Sequence, residues 1–160
     1  MKPDPKEKLT PLELAQREIQ IVNEIIRSIT GKGGFDEVMQ VIVDKSLSFL
    51  NTDRIGISLV NRETRMIAGF WLSGLPFEVF RAKTKGCLSL DKNYNDIAVQ
   101  ALREKKPMIL EDALNDPRAT KEIVELSGIK SCAILPLIVG DESIGFFSFE
   151  TIDPERPFKY

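Results

Sequence analysis

The sequence predicts an α+β domain, an antiparallel sheet with helices packed against it, and three observations carry that prediction. Residues 130–150, KSCAILPLIVGDESIGFFSFE, read as two strands joined at Gly140-Asp141-Glu142. Ala133 to Val139 and Ile144 to Phe149 are apolar at nearly every position, so this hairpin belongs in mid-sheet with both faces covered. Residues 54–72 hold a second hairpin, in which Ile55, Ile57 and Leu59 share one face while Gly56 and Ser58 share the other. Segments of helical period lie before and between these hairpins.

Taken in order, residues 1–10 are a polar lead-in with Pro3 and Pro5. Thr10 is placed to cap a helix, with Pro11 in its first turn and Glu13 three residues after the cap. Over residues 11–31, Leu12, Ala15, Ile19, Val22, Ile26 and Ile29 recur at spacings of three and four, a heptad-like seam. Leu14, Ile21 and Ile25 widen the stripe. One reading is a helix packed on its own sheet; the other adds a homodimer contact along the seam. Gly31, Gly33 and Gly34 end the helix. A second begins at Phe35 and continues through Val38, Met39, Ile42, Val43, Ser46, Phe49 and Leu50, with Asp36 and Glu37 in its first turn. Strands follow at residues 54–60 and 66–72, then an irregular stretch, Leu75 to Leu90, with Phe77 and Phe80. A stretch of that kind is a lid over a pocket or a loose loop. Asp91 can cap a third helix over residues 93–105, entered by Tyr94; a short strand spans 107–110, and a short helix runs from Asn115 to Leu126. The core is expected over residues 35–152, with 153–160 as a tail.

Composition excludes several functions. The 160 residues contain no histidine, which rules out His-dependent bases, nucleophilic dyads and His-ligated metals within this chain. The net charge of −2, without a block of one sign, leaves no footprint for nucleic acid or anionic lipid. No apolar run reaches the roughly 20 residues of a membrane span. Two separated cysteines, Cys87 and Cys132, fit reduced thiols in a cytoplasmic protein.

Several stretches together resemble a GAF domain. They are Phe35-Asp36-Glu37-Val38, Asp53-Arg54 at the first strand, Lys106 to Asp112 followed by Asn115-Asp116-Pro117-Arg118, Ser131 to Leu137 with Pro136, and Glu142 to Phe147. The resemblance spans residues 20–152. It implies an antiparallel sheet of order 2-1-5-4-3, the N-terminal helices on one face and a ligand pocket or lid on the other. Such domains usually end in a long helix leading to an output domain, so the chain is expected to be a piece of a larger signalling protein, truncated at that helix.

The same resemblance implies where a ligand would lie. In cyclic-nucleotide-binding relatives the contacts come from the first two strands, the loop before the third helix and the short helix before the central hairpin. The comparable residues are Ser58, Phe70, Trp71, Cys87, Leu88, Thr120 and Ile123. Phe80 in the irregular stretch and Tyr94 at the third helix complete the candidate set. Phe70 and Trp71 are suited to stacking on a planar ring. The Asn-Lys-Phe…Asp-Glu signature of the cyclic-nucleotide relatives is not matched. Bilin-binding relatives use a cysteine followed by histidine, whereas Leu88 follows Cys87. A further branch reduces free methionine sulfoxide through cysteines, one at the position of Cys87. Lys83 and Lys85 would favour a thiolate there, but Cys132 falls in an apolar strand and an additional cysteine is missing. The expectation is a sensory module without catalysis, cofactor or metal, recognising an unspecified small molecule. The rival is a ligand-free dimerising spacer whose pocket is filled by its own side chains.

Overall fold

In the computed structural model of the chain, the described residues are 10–29, 34–50, 52–74 and 88–158. Helix α1 spans Pro11–Ile29 and opens as its sequence predicts. Glu13 N–H donates to Thr10 Oγ1 at 3.3 Å while Glu13 Oε2 accepts from Thr10 N at 2.8 Å, the two halves of a capping box. Helix α2, Phe35–Phe49, starts with half of that device. Glu37 Oε2 accepts from Gly34 N at 3.2 Å, and Gly34 has no side chain to reciprocate.

The sheet has five antiparallel strands in the order β2-β1-β5-β4-β3. These are β1 (Arg54–Val60), β2 (Ile67–Ser73), β3 (Met108–Leu110), β4 (Ser131–Val139) and β5 (Glu142–Thr151). Between β4 and β5 the chain turns at Gly140, which takes a left-handed φ of 59° that a glycine adopts without strain. Strand alternation sorts the side chains into two layers. Val43 of α2, Ile55, Ile57 and Trp71 form one buried cluster, with Met39, Ile42, Phe147 and Phe149 against it. The other layer gathers Ile97, Val99, Leu102, Leu110, Val124, Ile134 and Phe146.

Two short helices supply the roof of that second layer. Helix α3 is Ile97–Glu104 and α4 is Lys121–Ser127. Helices of eight and seven residues are too short to persist alone, so tertiary burial holds them. Five of the eight α3 residues are buried.

Both helices are shorter than the sequence pattern suggests. Asp96, not Asp91, caps α3, and its carboxylate takes the N–H groups of Ala98 and Val99. Asp91 instead pairs with Arg65 at 2.9 Å. Residues 112–120 do not extend α4 backwards, because their aspartates bond to their own local backbone. Asp112 Oδ1 accepts from Leu114 N, and Asp116 Oδ1 accepts from Arg118 N.

The expectation of two fully covered hairpin faces is also corrected. Helix α2 lies across β1 and β2, and α1 packs chiefly against α2. The far end of β4 is open to solvent, with Leu135 and Ile138 exposed and Val139 61% exposed. Strand β3 reaches only residues 132–134 of β4, so Pro136 lies beyond its end.

Candidate functional site

The face of the sheet that looks toward α3 and α4 carries small or polar side chains at its centre. Register brings Gly56 of β1 opposite Ser148 of β5, and Ser58 opposite Phe146. A side chain at Gly56 would run into Leu72 Cδ2 at 2.6 Å and Ser148 Oγ at 2.7 Å. The short residues of this face therefore leave a space that the roof helices do not fill. It is a cavity of about 90 Å3. Leu72, Leu88, Val124, Ile134 and Phe146 make its apolar wall, and Ser58, Ser148, Thr120, Asp96, Cys132 and Glu150 bring polar atoms to it.

Three of those polar groups are strongly influenced by burial. Asp96 reaches the cavity from the N-terminus of α3, and its Oδ2 accepts the Thr120 hydroxyl at 2.6 Å, which locks the start of α4 to the start of α3. Burial pushes its carboxyl up from the ordinary value, against the stabilising bonds from Thr120, Ala98 and Val99. Glu150 is only 6% exposed. Burial raises its carboxyl too, only partly offset by the charge of Arg54 and a bond with Ser148. Arg54 is the direct cross-strand partner of Glu150, yet its Nη1 donates to the Ser127 carbonyl. The Cys132 thiol is driven upward by burial first and by the negative charges of Glu150 and Asp96 next.

A second, open groove of about 350 Å3 lies on the outer side of the Asp96–Thr120 bond. Asp96, Ala119 and Thr120 line both spaces and form the wall between them.

The structure brings together five of the nine sequence candidates: Ser58, Phe70, Leu88, Thr120 and Ile123 all line the cavity. Trp71 does not join them. It is consecutive with Phe70 on β2, so it points to the opposite face, where its ring meets Phe35 edge-on at 5.6 Å. The paired stacking platform expected of Phe70 and Trp71 is therefore not formed. Tyr94 sits on the outer groove, 53% exposed, with the Arg103 guanidinium 4.6 Å above its ring. Phe80 and Cys87 lie outside the described residues. Of the seam residues, Leu12, Ile19, Val22 and Ile26 are each at least half exposed.

Sequence reasoning misses Asp96, Ser148 and Glu150, although β5 holds a signal. Phe146, Ser148 and Glu150 alternate in an otherwise apolar run, which places all three on one face opposite Gly56 and Ser58.

A family model for the GAF domain matches residues 34–160. The chain belongs to the GAF domain family. Solved GAF-type structures share its fold at low identity. The GAF domain of an Acinetobacter phosphoenolpyruvate-protein phosphotransferase is 16% identical with a TM-score of 0.69, over 94% of this chain and 83% of that one. A domain of a putative two-component sensor histidine kinase from Sinorhizobium meliloti 1021 is 21% identical with a TM-score of 0.56, over 78% of each chain. A free methionine-R-sulfoxide reductase from Neisseria meningitidis, solved in complex with its substrate, is 13% identical with a TM-score of 0.59, over 95% of this chain and 81% of that one. No curated protein sequence matches this GAF domain.

Proposed function

We propose that this GAF domain is the regulatory module of a larger signalling protein, such as a sensor kinase or transcriptional regulator, and that it responds to a small molecule bound between the sheet and the roof of α3 and α4. The observation that carries this reading is the cavity itself. Polar side chains from β1, β5, α3 and the start of α4 converge on an otherwise apolar space, which is how ligand sites are built. At about 90 Å3 the space is well below the ~300 Å3 of ordinary ligand sites. It suits a compact ligand, or a larger one admitted when the Asp96–Thr120 bond opens toward the outer groove. A non-enzymatic role is supported by Cys132, since a buried thiol raised in this way supplies no thiolate nucleophile. Thermal denaturation and amide NMR against a metabolite library test the proposal. Compounds that stabilise the chain and move signals from β1, β5 and α4 are expected; a library without a single responder would sink it.

The spacer reading is favoured by a different observation, the exposed seam of Leu12, Ile19, Val22 and Ile26. A repeat of three and four on a 19-residue helix is self-complementary, and we assign its occupant as α1 of a second copy. The dimer contact alone, without the ligand-free pocket of the spacer reading, also fits sensing: a dimer through α1 would carry a signal from the cavity to an output domain.

A further inference from the structure

The ionisable side chains on the cavity wall are all acids or a thiol: Asp96, Glu150 and Cys132, with no lysine or arginine among the lining residues described. Glu150 is the decisive one. A carboxyl that is only 6% exposed normally has a cation against it. Arg54 stands opposite in register and its charge favours the Glu150 carboxylate, but its Nη1 donates to the Ser127 carbonyl at the end of α4 and the two side chains do not close an ion pair. Among the described residues Glu150 enters no ion pair within 4.0 Å, and its one side-chain partner is the Ser148 hydroxyl. The fold thus keeps a buried acid, only partly offset by the charge of Arg54, on the lining of a cavity that a second acid, Asp96, also lines.

We propose that this cavity takes a small organic cation, an ammonium or amidinium head on a compact apolar body, with Glu150 as the group that neutralises its charge. The inference deepens the sensing reading above and rests on it. The size of the cavity sets the ligand: a cavity of roughly 150 Å3 is enough for benzene, so about 90 Å3 holds only a few heavy atoms. The hydroxyls of Ser58 and Ser148 can accept further N–H donors of the head, and Leu72, Ile134 and Phe146 meet the apolar part. An anion is disfavoured, because it would be placed against Asp96 and Glu150 with no lysine or arginine among the described lining residues to receive it.

Entry of a cation carries a proton signature. Burial keeps the Glu150 carboxyl protonated to higher pH than usual. A bound cation favours the carboxylate, so the head enters and the proton leaves to solvent. Arg54 from β1 acts on Glu150 directly and Cys132 of β4 is its cross-strand partner, while Asp96, Arg118 and Asp116 act on Cys132 beside it. The release falls to the raised carboxyls on the cavity lining, Glu150 and Asp96.

Acetamidinium, acetamide and acetate form the test set, since they share a four-heavy-atom planar shape and differ in charge. They are titrated into the 160-residue chain while the amide signals of residues 131–134 and 148–151 are followed. Acetamidinium is expected to bind at least tenfold more tightly than either isostere. Its affinity should rise by up to about tenfold per pH unit while Glu150 is protonated in the unliganded protein. Calorimetry in buffers of different ionisation heat should register proton release, and Glu150→Gln should abolish the preference for acetamidinium. Acetamide or acetate binding as tightly as acetamidinium, or a library hit without a cationic head, would overturn the cation inference while leaving the sensing reading intact. Silence from all three probes and from the library would remove both. The isostere comparison and the proton release are read on the unmodified protein, so neither depends on the variant folding.

Discussion

Asp96 holds two elements at once, and removing it has a calculable effect. Asp96→Ala deletes a helix cap that satisfies Ala98 N and Val99 N, a loss of about 1 kcal/mol. It also strands the Thr120 hydroxyl, which now donates at 2.6 Å, at a further ~1 kcal/mol or more. A total of roughly 2 kcal/mol lowers the melting temperature of a domain this size by about 4–8 °C. Asp96→Asn behaves differently, because asparagine caps as well as aspartate and carries no charge to bury. The folded carboxyl is raised above its ordinary value of 3.8. Its contribution is therefore fully present below that value and is lost as pH rises through the folded value, at up to ~1.4 kcal/mol per unit. Asp96→Asn should accordingly gain on the wild type as the pH rises above about 4, while Asp96→Ala stays below Asp96→Asn at every pH for want of the cap. Thermal melts of the three proteins across pH decide it. Equal losses for the Ala and Asn variants at every pH would show that the anion itself is required, and would refute an account in which capping, not charge, is what Asp96 supplies.

Other parts of the fold give equally direct expectations. A Cβ at Gly145 would collide with the Ser58 carbonyl in the middle of the sheet, so Gly145→Ala should cost about 3 kcal/mol or leave the chain unfolded, read by chemical denaturation; a stable variant would show that β1 and β5 can separate locally. Ile19→Glu with Ile26→Glu should give a monomer by sedimentation under conditions where the parent chain is a dimer, and a parent chain that is monomeric at high concentration would end the dimer proposal. In a Cys87→Ser background, Cys132 should label with a thiol reagent only at the rate of unfolding, because its sulfur is buried and its thiol raised; rapid labelling of the native protein would mean that the cavity opens readily to water.

How far these features can be read in the sequence depends on the range of the physics involved. The capping box at Thr10 and Glu13, the turn at Gly140 and the alternation of Ile55, Ile57 and Leu59 are local rules, and the folded chain obeys each of them. The start of α3 is ambiguous in sequence because Asp91 and Asp96 are both competent caps. The choice is made by Thr120, 24 residues away, whose hydroxyl binds Asp96. The sequence overstates the length of α4 because Asp112 and Asp116 satisfy local backbone N–H groups without continuing a helix. Pairing Trp71 with Phe70 sets aside the two-residue period of a strand, the same period that sorts β1 correctly. Glu150 is hidden in another way: a lone carboxylate near the end of an apolar strand reads as the point where the strand meets water. Only the cross-strand register with Arg54 and Cys132 places it indoors.

The limited reach of β3 has a consequence for how these molecules behave in a crowd. Beyond Ile134, β4 continues as an edge, and Leu135, Ile138 and Val139 on it are exposed. Such a flank invites strands from other chains to extend the ladder, the first step of edge-to-edge aggregation. Pro136 stands in that stretch and contributes no N–H to an incoming strand. The proline that helps to mark the family by its sequence thus works as a gatekeeper, allowing an apolar hairpin to remain at the centre of the sheet without recruiting its neighbours.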